Sequence, residues 1–219
     1  GETEDIFMAK ADSDGNFLWG FSFGSEVGSN ISGDIVTNSD DEIFVSTIWT
    51  GSSIVIGTFT EENPDAQVLA NYDRLIAKFS SDGTPIWTSR EGSVEEDFIT
   101  ELVADDAGGV ISVAASQGEI TINESNFDMS GTFLSAKNFE GGSASVTQIS
   151  TASAYIDLIS HRYPIGIARD GSGNLIVMIT STDESVDIGG ITLANSGGDF
   201  GTYDIFLASI ASDGTGNWA

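Results

Sequence analysis

At 219 residues with 40% hydrophobic content, 13 Phe and 4 Trp, the chain is long enough to bury a core, and 26 Gly point to frequent turns rather than long helices. The formal charge of −27 repels nucleic acid and anionic membranes, and the absence of cysteine excludes disulfides, thiolate metal sites and a Cys nucleophile. The longest apolar stretch, LIVMI at 175–179, is far too short to span a bilayer, and a start at Gly1 without Met fits a processed or excised piece of a longer protein.

The first predicted element is a hairpin, DIFMAKADSDGNFLW, from Asp5 to Trp19. It returns as DRLIAKFSSDGTPIW from Asp73 to Trp87 and as DIFLASIASDGTGNW from Asp204 to Trp218, with the Trp always fourteen positions after the Asp. Within each copy Gly15, Gly83 or Gly214 is placed where a short loop needs positive φ. An eroded copy, TFLSAKNFEGGSASV, spans Thr132 to Val146, with Ala136 and Lys137 set where Ala77 and Lys78 stand and Val146 in place of Trp. That seam is expected to be looser or differently filled.

Next along the chain comes IVTNSDDEIFVS from Ile35, which returns as LVADDAGGVISV from Leu102 and IARDGSGNLIVM from Ile167. Each reads as a short strand at Ile35–Asn38, Leu102 or Ile167, a polar turn, and a second strand at Ile43–Ile48, Val110–Ala114 or Leu175–Thr180, rich in β-branched and aromatic residues. Connections of variable length then carry an apolar doublet: Ile54 and Ile56, Ile120 and Ile122, Val186 and Ile188. Three markers sharing a period of about 66 residues mean stacked structural units.

Strands three and four of each unit are the Asp-to-Trp hairpins, at Leu75–Phe79 and Ile205–Ile210 for strand three. A four-stranded antiparallel unit cannot bury both faces alone, and radial stacking of such units gives a β-propeller. The expected division is a half blade over 5–23, blade one over 34–90, blade two over 101–149 and blade three over 165–219, with Trp19, Trp87 and Trp218 between neighbouring blades. Left uncovered, the first and last blades would expose apolar faces, so the remaining blades are expected from the parent chain or a second copy.

These residues resemble the bacterial β-propeller repeat family sometimes called SBBP repeats, with its D-x-F-V-A-K-L-D-x-x-G-x-x-x-W hairpin, Gly-Gly-Ser-like turn and D-x-x-G-N-x-Y-V-T-G strand. The matching segments here are DIFMAKADSDGNFLW, GSVEED after Trp87, and DGSGNLIVMIT from Asp170. Departures are the missing Trp at Val146, the stretch TASAYIDLISHRYP from Thr151, and Arg74 where an aromatic is expected. The hairpin is also similar to the tryptophan-docking repeat of quinoprotein propellers, a packing motif that carries no quinone site by itself. The resemblance implies a secreted or cell-surface, adhesin-like bacterial scaffold and no common reaction.

Candidate sites are few. The only histidine, His161, has no nucleophile or paired ligand, and with Arg162 and Tyr163 it forms a candidate polar and aromatic contact patch. Asp12, Asp14 and Asn16, and again Asp170, Ser172 and Asn174, put oxygen side chains at alternate positions as calcium loops do, although hairpin turns use the same residues. Calcium is therefore the one cofactor the sequence suggests. EGSVEED, with Glu91, Glu95, Glu96 and Asp97, reads as a solvated charged loop, or as a calcium ligand set only if a second acidic loop faces it. No GxSxG, HExxH, P-loop or dinucleotide fingerprint is present. The leading expectation is a non-enzymatic scaffold that binds a protein or glycan through its long loops. The alternatives are a carbohydrate-active hydrolase or lyase using carboxylates at the propeller mouth, and a structural subunit that assembles through its open faces.

Overall fold

A computed structural model describes residues 4–64, 72–93, 97, 101–105, 107–116, 119–122, 125–128, 131–138, 140–150, 166–195, 204–211 and 213–219. Every regular element among them is a β-strand, and every ladder between those strands is antiparallel. Among the described residues the sheets are open, and none closes into a barrel.

One plan repeats along the chain. A half unit pairs β1 (Ile6–Ala11) with β2 (Phe17–Phe23). Unit one orders β3 (Asn30–Thr37), β4 (Ile43–Trp49), β7 (Asp73–Phe79) and β8 (Pro85–Ser93) as a meander. Unit two does the same with β9 (Glu101–Ala104), β10 (Val110–Ser116), β13 (Gly131–Lys137) and β14 (Ser143–Ser150). Unit three uses β15 (Gly166–Arg169), β16 (Leu175–Ser181), β19 (Asp204–Ile210) and β20 (Gly216–Trp218). Unit one thus starts earlier and ends later than the 34–90 expected from sequence, because polar residues at both ends join the ladder.

The connections between second and third strands hold structure that the sequence reading lacked. Each folds into a hairpin: β5 (Ser53–Ile56) with β6 (Phe59–Glu62), β11 (Glu119–Ile122) with β12 (Ser125–Asp128), and β17 (Ser185–Ile188) with β18 (Ile191–Ala194). The apolar doublets lie on the first strands, with Ile54, Ile56, Ile120, Ile122, Val186 and Ile188 all buried. Each hairpin also bonds to the last strand of the preceding sheet. The Val55 N–H donates to the Gly24 carbonyl at 3.1 Å, β11 forms a ladder with β8 that pairs Thr121 with Gly92, and the Gly189 N–H donates to the Ile149 carbonyl at 2.9 Å. Hairpins therefore stitch each unit to its predecessor.

The stitched sheets stack through equivalent faces. In seam one, Ile6, Met8, Trp19, Phe21 and Phe23 pack on Ile43, Val45, Leu75, Ala77 and Phe79. Across seam two, Phe44, Ile76 and Trp87 of unit one meet Leu102 and Val110 of unit two. Ile111, Val113, Leu134 and Ile149 meet Leu175, Val177, Phe206, Ala208 and Ile210 across seam three. Because side chains alternate sides along a strand, each unit uses one face toward each neighbour.

Register corrects the eroded copy by one residue. Lys10 pairs with Trp19, Lys78 with Trp87 and Ser209 with Trp218, whereas Ala136 pairs with Ser145. Turn bonds agree: Asp12, Ser80, Asn138 and Ala211 each donate to the carbonyl four residues on, and Gly141 (φ 86°) matches Gly15 (φ 83°), Gly83 (φ 84°) and Gly214 (φ 87°). The copy therefore runs from Gly131, Lys137 stands where Phe79 does, and Ser145 rather than Val146 replaces Trp. The Ala136-Lys137 dipeptide thus lies one residue out of phase with Ala77-Lys78.

Candidate functional site

The three Trp positions are equivalent in the fold, and two of them fill seams. The Trp19 indole N–H donates to the Ser81 carbonyl at 3.3 Å, and its ring lies over Gly83 of the next unit's turn. Trp87 lies over Gly141 in the same way, with its ring 6.0 Å from that of Phe44. At the third seam Ser145 leaves that space to Thr147, which touches Gly214, and a cleft of about 320 Å³ opens there. It is lined by Thr147, Gln148, Ile149, Asp187, Gly189, Asp213 and Thr215, among others.

Behind Trp87, seam two holds a group of charges that local pattern did not reveal. Arg74 on β7, Glu91 on β8 and Lys137 on β13 have side chains sealed from solvent, as does Asp97. Arg74 Nη1 lies 3.2 Å from Asp97 Oδ1 and donates to the Ala115 carbonyl of β10 at 2.8 Å, while its Nε is 3.7 Å from Glu91 Oε2. Lys137 Nζ reaches Glu91 Oε1 at 3.0 Å from the other sheet. The guanidinium also sits 5.2 Å from the centre of the Phe133 ring, a cation–π distance. Asp97 is held by the Ser93 N–H, which donates to Oδ2 at 2.6 Å, and by its own N–H donating to the Tyr72 carbonyl. Arg90 pairs with Asp73 alongside.

These surroundings move the two carboxyls apart. Burial pushes Glu91 upward, but Lys137 and Arg74 outweigh it and hold the group below the ordinary glutamate value. Burial dominates at Asp97, with Arg74 opposing and Asp73 reinforcing, so its pKa rises to about 7. The EGSVEED reading is thereby corrected: Glu91 and Asp97 are interior ion-pair partners, because Arg74 and Lys137 supply countercharge from two sheets. Glu95 and Glu96 lie outside the described residues.

Further polar links cross the seams. Lys78 pairs with Glu42 at 2.8 Å and donates to the Gly108 carbonyl of unit two, and Asp34 accepts the Leu102 N–H at 2.9 Å. Arg169 pairs with Asp105 between units two and three, and Lys10 donates to the Ser81 carbonyl across seam one. Every Lys or Arg among the described residues is thus engaged with a carboxylate or a carbonyl. Over the full chain, 34 Asp and Glu stand against seven Lys and Arg, so carboxylates dominate the charged groups.

The alternating oxygen clusters are spent on their own turns. Asp12 Oδ1 accepts the N–H groups of Asp14 (3.0 Å) and Asn16 (2.8 Å), and Oδ2 accepts the Asn16 amide. Asp170 repeats this with Ser172 and Asn174. Bonds to Asn16 and Asn174 respectively lead in holding both carboxyls below the usual aspartate value. Asn38 and Asn138, which carry no charge, take the same position in sister turns and accept the same backbone bonds. No group of three or more His, Asp or Glu with metal-holding geometry occurs among the described residues. His161, Arg162 and Tyr163 lie outside the described residues.

No family model matches the chain, and no curated protein sequence matches it.

Proposed function

We propose that this chain is an arc of a β-propeller of the SBBP-like kind, acting as a non-catalytic, secreted or cell-surface scaffold that holds a protein or glycan ligand. The observation that carries the reading is the stacking itself: successive sheets meet through the same two faces and are stitched by the same hairpin in every seam. Repetition with a constant offset is how radial blade arrays are built.

The seam-three cleft is the ligand site we favour. It is concave and lined by hydroxyl, amide and carboxylate groups, which suits a hydroxyl-rich sugar or a basic protein loop and rejects anions. Asp187 already accepts from Gly190 N–H and Thr192 Oγ1, and Asp213 from Thr215 N–H, so both carboxylates are held in place. The test is a panel of neutral and charged oligosaccharides, together with a basic protein such as a histone, presented to the immobilised chain. Binding should be lost in Asp213→Lys and Gln148→Arg and kept in Lys10→Ala at seam one. Binding unmoved by the cleft substitutions would remove the site, and product release from any sugar, abolished by a carboxylate substitution, would replace the scaffold with an enzyme.

A further inference from the structure

Seam three lies between two four-stranded units and lacks the rings that fill its sisters. Register sets Ser145 where Trp19 and Trp87 stand, and Thr147 where Phe21 and Ser89 stand. In seam one both positions carry rings, and Trp19 and Phe21 together lie against Gly83 of the next unit's turn. Seam two keeps one ring, Trp87, against Gly141. Seam three keeps neither, yet its turn glycine, Gly214, holds the same left-handed backbone at φ 87°, with the methyls of Thr147 and Ile149 as its nearest side-chain neighbours.

The loss leaves apolar surface uncovered. Trp87 packs with Leu102 in seam two, and Leu102 is 3% exposed. Its counterpart in unit three, Ile167, is only partly buried, and Ser145 on the facing sheet is exposed. Two residues beyond Ser145, on the same face, Thr147 borders the cleft of about 320 Å³ whose walls carry Asp187 and Asp213. None of the described lining residues is a Lys or Arg. We propose that this cleft takes an aromatic side chain of a partner protein, flanked by Lys or Arg, so that the partner's ring lies against Gly214 where the chain's own indole lies in the sister seams. The ring supplies the missing apolar cover, and its flanking cations meet Asp187 and Asp213. Aromatic side chains and Arg are the residues that anchor protein contacts most strongly. The inference rests on reading the cleft as the ligand site, and narrows its ligand to a protein segment.

Isothermal titration of the full chain with two peptides, acetyl-Lys-Trp-Lys-amide and acetyl-Lys-Ala-Lys-amide, is the test. The Trp peptide should bind more than about tenfold tighter, the least an anchoring aromatic contributes. Ser145→Trp, which returns an indole to the seam from the chain itself, should abolish that preference, and Asp213→Lys should weaken both peptides. Equal affinities would reduce the contact to charge attraction and overturn the proposal, as would a Ser145→Trp chain that binds the Trp peptide like the wild type. If neither peptide binds while a neutral oligosaccharide does, and Asp213→Lys abolishes that binding, the cleft stands as a ligand site and the aromatic partner is overturned. If oligosaccharides, basic protein and both peptides all fail to bind, the cleft falls with it. Ser145 is exposed, and if Ser145→Trp still loses its far-UV circular dichroism, Ser145→Phe takes its place.

Discussion

Seams one and two share a geometry and differ in filling. The positions occupied by Trp19, Phe21 and Phe23 in the first become Trp87, Ser89 and Glu91 in the second, and Ile6 becomes Arg74. In seam one the rings form a row, with Phe21 centred 5.9 Å from Trp19 and 5.5 Å from Phe79. In seam two, Arg74, Glu91 and Lys137 fill that volume with opposite charges from facing sheets. What stays constant is the stitching hairpin and the Trp-over-Gly contact. Those fix the approach of the sheets, and the filling has only to match in volume and charge. An ionic filling gains little net stability over an apolar one, because desolvation offsets most of the attraction, but it excludes a wrong neighbour. Arg74 against an all-apolar face would be a buried, unpaired cation.

The sharpest way to break the comparison is Arg74→Ala. It leaves Glu91 with Lys137 alone and Asp97 without its cation, and loss of one partner from a buried set costs about 3–5 kcal/mol, read as a lowered urea midpoint with unchanged slope. Converting seam two toward seam-one chemistry, with Arg74→Ile, Glu91→Phe, Lys137→Met and Asp97→Asn together, should cost less than the single change, since no charge is left stranded. A fourfold variant less stable than Arg74→Ala would mean that the ionic filling is required for the fold.

A smaller effect separates the shared device from the filling. Gly141 holds φ at 86°, and a Cβ there would sit 2.7 Å from Trp87 Cδ2. Gly15 has nearly the same φ, 83°, but nothing within 4 Å. Alanine at Gly15 should therefore cost only the backbone term, about 1–2 kcal/mol, while alanine at Gly141 adds an overpacking cost of about 1–3 kcal/mol. Equal losses in the two variants would show that the Trp87 contact does not tune the seam.

Much of this was legible locally, and the rest was not for a physical reason. Turn glycines, β-branched second strands and the Asp-to-Trp hairpins follow from short-range preferences, and the sheets fall where those preferences put them. The doublets were visible, but their partner strands were not: FTEE, SNFD and ITLA are four residues long, and the first two carry little apolar content. Burial of Glu91 and Lys137 depends on a partner 46 residues away in sequence, on the opposite sheet, which no window of local pattern contains. The one available signal was Arg74 itself, a cation in a repeat position that asks for an apolar side chain.

A last contrast separates the seams by pH. Asp97 has a folded pKa of about 7 against an ordinary 3.8, so between those values the folded chain holds a proton that the unfolded chain has released. This group's contribution to stability is therefore fully present below about pH 4 and is lost as pH rises toward 7, with a slope of up to about 1.4 kcal/mol per unit. Glu91 works in the opposite sense: its depressed pKa stabilises the fold above the ordinary glutamate range, and that stability is lost as pH falls through the folded value. Arg74 and Lys137 face this pair as opposite charges, while Asp73, paired with Arg90, faces Asp97 as a like charge. Urea midpoints measured at intervals from pH 5 to 8 should fall with rising pH in the wild type and flatten in Asp97→Asn. A Phe21→Leu variant of seam one, with no carboxyl in its filling, should keep the wild-type slope. If Asp97→Asn leaves the slope untouched, the titration belongs to the surface carboxylates and not to the seam.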